Sequence, residues 1–439
     1  MNITGRLQKI LSSNAFVSLA GNGTAALLGI LVIAIQARTL TKTDFGTWVM
    51  FITTFGLFDI IRSGLILNPV IRNLAAAKND LAQRRIAGAA WSLCSNFTVW
   101  AVVLFTIPGL LFYNWFQSQD LGFFVQWFWL LAVITVPHNL ATWFLNASSG
   151  FKTVQAIKIT NQALFMAFNV ANIWLDMGIS YIFWAFVICN LATSVVTLLA
   201  GWSRITDWKF SRKEEKRELF SFGKFSMLTL VVSNLLRSSD TYLLGIMLGP
   251  AAVVLYNVPS RLMQVFEMPI SAISITRLPV LAGLHTSGKD KELAAEFERS
   301  VGVLWLAIIP VAILCFIFAE PLVVLLGGEG FRESAGVLRF FAIYAVFLPL
   351  ERYSGIGLDV VNRPKINLIK VVIMLGVNVV GDIIAIKYFG TVDAVAFVSV
   401  ITFGSGILLG YYFLNRHMKL SLKGILTGGW LALKKVAGK

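Results

Sequence analysis

Charged side chains inside otherwise apolar stretches are the residues of this chain that could do chemistry. They are Asp59 and Arg62, Arg237 and Asp240, Arg261 and Glu267, Glu351 and Arg352, with Asp382 as a further acid. A charge at the centre of a bilayer costs roughly 2.5–3.5 kcal/mol on insertion scales, so such residues face a cavity or a partner. Asp59 with Arg62, and Arg237 with Asp240, are spaced i, i+3, which sets each pair on one helix face. Two readings stay open. Each pair can be a mutually neutralised structural pair. Alternatively Arg62, Arg237, Arg261 and Arg352 converge on phosphate oxygens, since the guanidinium fork matches them and stays charged in a low-dielectric site. Asp59, Asp240, Glu267 and Glu351 would then pair with those cations or take a coupling proton or sodium ion.

Catalysis has little to rest on. There is no phosphate-binding glycine loop with its lysine, no metal-ligand cluster and no sizeable soluble domain to hold a nucleotide. GNGTAALLG, Gly21–Gly29, fails the dinucleotide spacing and lies in an apolar stretch, where glycines permit close helix packing. Cys94, Cys189 and Cys315 also fall in apolar stretches without paired spacing and read as small core residues. His138, next to Pro137, reads as a buried, hydrogen-bonded histidine, while His285 and His417 belong to polar gaps. The expectation is a protein that is not an enzyme, with no cofactor and no metal.

The elements that must position these charges are membrane helices. With 57% hydrophobic residues, 13% charged and a mean hydropathy of +0.76, 439 residues have too little polar surface to cover a soluble globule. Crossing the hydrocarbon takes roughly 20 apolar residues of helix, and the pattern predicts about twelve spans. The first six are Asn14–Ala37, Phe45–Leu67, Ile86–Tyr113, Leu121–Asn146, Ile157–Leu175 and Ile179–Trp202. The second six are Phe220–Leu248, Ala251–Leu281, Val301–Leu326, Ala335–Val360, Ile366–Ile386 and Val392–Leu414. The polar Met1–Ser13 lacks the form of a cleavable signal, so the first span is expected to stay.

The formal charge of +15 follows the same plan. Arg6 and Lys9 precede the first span, Arg72 to Arg85 fill gap two, Lys152 and Lys158 gap four, and seven residues from Arg204 to Lys224 gap six. Lys289, Lys291 and Arg299 lie in gap eight, Arg363, Lys365 and Lys370 in gap ten, and six from Arg416 onward in the tail. Together these are 27 of 37 basic residues, against Arg38, Lys42, Arg332 and Lys387 in the odd gaps. By the positive-inside rule both termini and every even gap are cytoplasmic. The basic excess suits anionic lipid headgroups and requires no nucleic acid.

The longest polar gap, with its SRKEEKRE run, divides the chain into residues 1–203, a cytoplasmic inter-lobe loop 204–224, residues 225–415 and a basic tail 416–439. Its charges predict a solvated helix on the cytoplasmic surface. The halves resemble each other. ARTLTKTDFGTW at Ala37–Trp48 matches GIMLGPAAVVLY at Gly245–Tyr256 with an offset of 208, and NASSGFKTVQAIK at Asn146–Lys158 matches LDVVNRPKINLIK at Leu358–Lys370 with an offset of 212. Two matches at nearly one offset argue for a duplicated six-helix unit, whose even helix number gives both copies one orientation. Pro259, Pro269 and Pro279 recur in the eighth span and should bend it, as a lipid-tail gate or as static kinks. Tryptophans such as Trp115, Trp127 and Trp202 suit interfacial anchoring.

These motifs carry a resemblance. The chain resembles the polysaccharide-transport branch, the O-antigen flippases of Wzx type, within the multidrug, oligosaccharidyl-lipid and polysaccharide (MOP) flippase superfamily. The family's first signature, ARTLGPxDFGxW, stands here as ARTLTKTDFGTW, followed by FITTFGLFDIIRSGL. Its second is filled by Ser239, Asp240, Leu244, Gly245, Leu248, Gly249, Pro250 and Tyr256. A third is filled by Val337, Leu338, Arg339 and Ala342, then Asn362–Lys365. Thr41 and Lys42 replace the usual Gly-Pro, and Val254 stands where a glycine is common. The resemblance implies an all-α integral membrane protein of about twelve transmembrane helices in two MATE-like six-helix lobes. It implies a flippase that moves undecaprenyl-pyrophosphate-linked oligosaccharides from the cytoplasmic to the outer leaflet of a bacterial inner membrane by alternating access. The arginines would clamp the pyrophosphate, coupling would use proton, sodium or membrane potential, and a polymerase and glycosyltransferases would be partners. One rival is a multidrug or cation antiporter of the same superfamily, which wants a net acidic cavity. The other is a lipid-linked sugar polymerase or ligase, which wants a large external loop.

Overall fold

The computed structural model describes residues 14–111 and 122–437, and every regular element among them is helical. In chain order these are α1 (Asn14–Thr39), α2 (Lys42–Ala76), α3 (Asp80–Leu111), α4 (Gly122–Ile134), α5 (Val136–Ala147), α6 (Phe151–Leu175) and α7 (Gly178–Leu199). After a 3₁₀ turn at Ile205–Phe210 come α8 (Lys213–Met247), α9 (Pro250–Leu262), α10 (Gln264–Thr286), α11 (Asp290–Ile317) and α12 (Ala319–Gly327). A second 3₁₀ turn at Glu329–Ser334 leads to α13 (Ala335–Ala345), α14 (Leu348–Val360), α15 (Pro364–Phe389), α16 (Val392–Leu414) and α17 (Leu422–Ala437). The polar N-terminus and Trp115 lie outside the described residues.

Among the described residues nine helices are long and apolar enough to cross a membrane, or up to 11 if two bent pairs each count as one span. The chain is therefore a multi-pass membrane protein. The predicted span Ile157–Leu175 is helical within α6 but is not among these spans. Two of its amides pair with neighbouring helices. Asn169, fully buried, accepts from Gln36 of α1 at 2.9 Å, and Asn161 donates to Thr193 Oγ1 of α7 at 2.7 Å. Amides paired across helices cost little in hydrocarbon, but a hydropathy sum counts them in full.

Several predicted spans are broken. Leu121–Asn146 divides at Thr135, two residues before Pro137. Ala251–Leu281 divides at Met263 and bends again by 41° between Ser274 and Thr276. That second bend falls at residue 275, whose carbonyl is the one that the Pro279 ring excludes four residues on. Val301–Leu326 divides at Phe318, and Ala335–Val360 bends by 45° between α13 and α14.

The repeat is visible in the backbone. Ser148, Ser149 and Gly150 donate to Phe144, Asn146 and Leu145, and Val361, Asn362 and Arg363 donate likewise to Gly357, Asp359 and Leu358. Ser149 and Asn362 have φ of 60° and 59°. The structural offset is 213, one residue more than the sequence match. At the other pair the offset of 208 holds: α2 starts at Lys42 and α9 at Pro250. Thr41 caps α2 by accepting from the Asp44 amide at 3.1 Å, whereas Gly249 uses φ 92° and Pro250 opens α9.

Contacts divide the chain into Met1–Asn234 and Leu235–Lys439, with the division inside α8. In the first unit the 3₁₀ turn packs on α3, where Trp91 stacks on Trp208 and donates to the Ser203 carbonyl at 2.6 Å. The SRKEEKRE run opens α8 with mostly exposed charges. Farther along α8, Gly223 lies so close to α2 that a Cβ there would stand 1.9 Å from the Leu65 carbonyl oxygen.

Candidate functional site

In the first unit the charged site is built around Arg62, which is fully buried. The break at Thr135 brings the end of α4 and the start of α5 against α2. Arg62 donates to the Ala132 carbonyl at 3.0 Å and to Thr135 Oγ1 at 2.8 Å, reaches Thr98 Oγ1 of α3 at 3.5 Å, and lies over the Phe58 ring at 5.0 Å. It pairs with Asp59, whose carboxylate also accepts from Asn139 of α5 at 2.9 Å and is 33% exposed. Three of the guanidinium's neighbouring helices are thus joined through it, and only Nε has no partner among the described residues. His138 sits in the same wall, its Nδ1 3.2 Å from Ser194 Oγ, which itself donates to the Ile134 carbonyl. It is a hydrogen-bonded, largely enclosed histidine.

The second unit holds a different chemistry. Arg237 does not pair with Asp240 one turn away on α8; it faces Glu267 of α10 at 3.5 Å, with both side chains partly exposed. Asp240 points the other way, into the core, where it accepts from Tyr256 of α9 and Asn378 of α15. Asn378 also donates to Asp382 Oδ2 at 3.0 Å and accepts from Thr402 of α16 at 3.0 Å, and Tyr256 meets Ser399 at 3.0 Å. Asp240, Asp382, Asn378, Thr402 and Ser399 are all at most 5% exposed. Two buried carboxyls share one amide donor with no cation beside them, and Asp382 Oδ1 has no partner among the described residues. A pair of neighbouring carboxyl groups ringed by hydroxyl and amide groups is an oxygen-rich site of the size of a proton or a hard monovalent cation.

Arg261 lies at the end of α9. The antiparallel register of α8 and α9, which sets Tyr256 against Asp240 and Asn257 against Thr241, brings Arg261 to the level of Arg237. Arg261 is half-buried and makes no hydrogen bond or ion pair among the described residues, and its Nε is buried without an acceptor. Arg352 is exposed. Its neighbour Glu351 accepts from Lys370 of α15 at 2.9 Å, with Ser354 Oγ 3.0 Å from the same ammonium. Lys370, assigned above to a cytoplasmic gap, is 1% exposed inside the unit. It is drawn inward by Glu351 and by the space that Gly410 leaves beside Ser354. Lys370, Asn378 and Tyr256 were missed as site residues. A signal was present: Lys370, Asn378 and Asp382 recur at multiples of four on α15, opposite Thr402, Gly406 and Gly410 at the same spacing on α16.

The chain is a multi-pass helical membrane protein that keeps ionisable clusters inside its units, and it shares its fold with solved structures of the MOP superfamily. The inward-closed lipid II flippase MurJ superposes with a TM-score of 0.75 at 13% identity, covering 96% of this chain and 92% of that one. An inward-facing multidrug-resistance MATE family transporter does so with a TM-score of 0.75 at 15% identity, covering 96% and 99%. The chain belongs to the polysaccharide biosynthesis protein family, whose profile matches residues 35–336. Among curated proteins, a probable low-salt glycan biosynthesis flippase of Haloferax volcanii is 22% identical over 240 residues, 54% of this chain and 51% of that protein, so the chain spans about half its length. A putative O-antigen transporter of Shigella flexneri is 22% identical over 80% of this chain and 85% of that protein.

Proposed function

We propose that this protein is a flippase for lipid-linked oligosaccharides, moving undecaprenyl-pyrophosphate-linked repeat units from the cytoplasmic to the outer leaflet of the inner membrane. The observation that carries the reading is Arg261, a half-buried guanidinium in the second unit with no partner among the described residues. Such a group is held in reserve for an anion, and a pyrophosphate fits its fork. Arg237, at the same level and only loosely paired to Glu267, and exposed Arg352 extend the basic wall. Arg62 instead pins the broken α4–α5 helix in this reading. Family membership and the MOP fold agree with it.

Twelve spans, cytoplasmic termini, and alternating access by rocking of two lobes are part of the same proposal. So is coupling: the Asp240–Asp382 cluster takes up a proton or sodium ion, while an inside-negative potential favours outward movement of anion by about 2.3 kcal/mol per charge per 100 mV. A polymerase and glycosyltransferases are the proposed partners. The test is leaflet accessibility of a labelled lipid-linked oligosaccharide in proteoliposomes. Native protein should translocate it, and Arg261→Ala should lose translocation at unchanged melting temperature. Uptake of a cationic dye without lipid movement would make the protein an antiporter. Normal flipping by Arg261→Ala would remove the anion role of that residue.

A further inference from the structure

Helix α17 seats one face on α11 and leaves the other uncovered. Its inner face is Ile425, Gly429 and Ala432. Contact with α11 is so close that a Cβ on Gly302 would stand 2.0 Å from the Ile425 carbonyl oxygen and 2.8 Å from Gly429 Cα. The entry to the helix is fixed as well. Glu298 of α11 accepts from the Ser421 amide at 2.6 Å, and Tyr411 donates to the Leu420 carbonyl at 2.7 Å. These bonds fix which residues of α17 can turn outward.

The outward residues are apolar and basic. Leu422, Leu426 and Trp430, four residues apart, form a ridge with exposures of 55%, 48% and 63%. Lys423 and Lys434 lie along that ridge, exposed, and Arg416 and Lys419 stand exposed just before the helix. The sequence from Arg416 to Lys439 contains no acid. Where α17 meets α11 is informative too. The contact at Glu298–Gly302 is where α11 passes from the charged DKELAAEFERS to the apolar VGVLWLAIIPVAILCFI. A span changes from headgroup to hydrocarbon at such a boundary.

We infer that α17 is an interfacial helix, its Leu422–Leu426–Trp430 ridge sunk into the headgroup layer of an anionic bilayer at the mouth of α11. An apolar ridge bordered by lysines, with a tryptophan at its end, is what a helix lying in that layer needs. Lipid phosphates meet Lys423 and Lys434, while Glu298 and the glycine contact keep α17 from leaving the protein.

The test uses full-length protein in nanodiscs, comparing phosphatidylglycerol-containing with purely zwitterionic bilayers. Amide hydrogen exchange of α17 should be slower in the anionic discs, and the Lys423→Gln/Lys434→Gln variant should lose about fivefold of that slowing per lysine. A nitroxide on Leu426→Cys, with the three native cysteines replaced, should collide with oxygen more often than with a water-soluble nickel chelate. Equal exchange in both bilayers, slowing that survives loss of both lysines, or a nitroxide open to nickel overturns the inference. A ridge that becomes covered only when membrane extract is added would mean a protein partner, and likewise overturns it.

Discussion

Replacing Arg62 by alanine separates a structural cation from a substrate-binding one. In the native chain the guanidinium is fully buried and joins Asp59, the Ala132 carbonyl, Thr135 and Thr98. Removing one partner of a buried ion pair costs about 3–5 kcal/mol, because the other charge is left uncompensated. Asp59 is 33% exposed, so water relieves part of that cost, and the low end, ~3 kcal/mol, applies. At about 2 °C per kcal/mol for a body of the size of unit 1, the melting temperature falls by ~6 °C. Cys94 and Cys189 are buried free thiols, so a thiol-reactive dye reports the unfolding directly. Arg62→Met with Asp59→Asn, which removes both charges and keeps most of the volume, should recover most of the loss. Translocation by Arg62→Ala should persist at a temperature where it is folded. An unchanged melting temperature with translocation abolished would refute the reasoning and return Arg62 to the substrate.

Lys370→Met should destabilise the second unit by roughly 3 kcal/mol, through the stranded Glu351 carboxylate, and Lys370→Met/Glu351→Gln should restore it in thermal melts followed by the circular dichroism of the helices. Asp382→Asn should leave the protein folded and abolish the dependence of translocation on a proton or sodium gradient; measuring flux against each gradient separately identifies the ion. Tyr256→Phe removes the hydroxyl donor to Asp240 and leaves the Asn378 amide, so it should weaken that dependence without abolishing it, seen as a shift in the ion concentration for half-maximal flux. Gly223→Ala places a Cβ 1.9 Å from a backbone oxygen of α2 that cannot rotate away, so a marked fall in melting temperature is expected.

Much of the architecture was legible because membrane insertion reads a local quantity. About twenty apolar residues are long enough to span a bilayer whatever surrounds them. The repeated turns were legible as well, since Ser149 and Asn362 meet the same left-handed requirement in two places. The breaks were only partly so. Pro279 marks its bend through a missing amide, and Pro321 does the same for the division at Phe318, but no proline stands four residues beyond Met263 to announce that break.

The site shows where local reading stops. Spacing i, i+3 places Arg237 and Asp240 on one helix face, yet their partners come from other helices: Glu267 for the arginine, Tyr256 and Asn378 for the acid. Lys370 was counted with gap lysines because its neighbours Arg363 and Lys365 are basic, while its actual position depends on Glu351, some 19 residues away, and on the room left by Gly410. Sequence by itself determined that this chain crosses a bilayer many times, in two related halves, and carries charge inside it. Only the tertiary structure decided which charges are spent on one another and which, like Arg261, have no partner among the described residues. A charge in low dielectric is governed by the few groups within hydrogen-bonding reach, and in a helical bundle those groups come from distant parts of the chain.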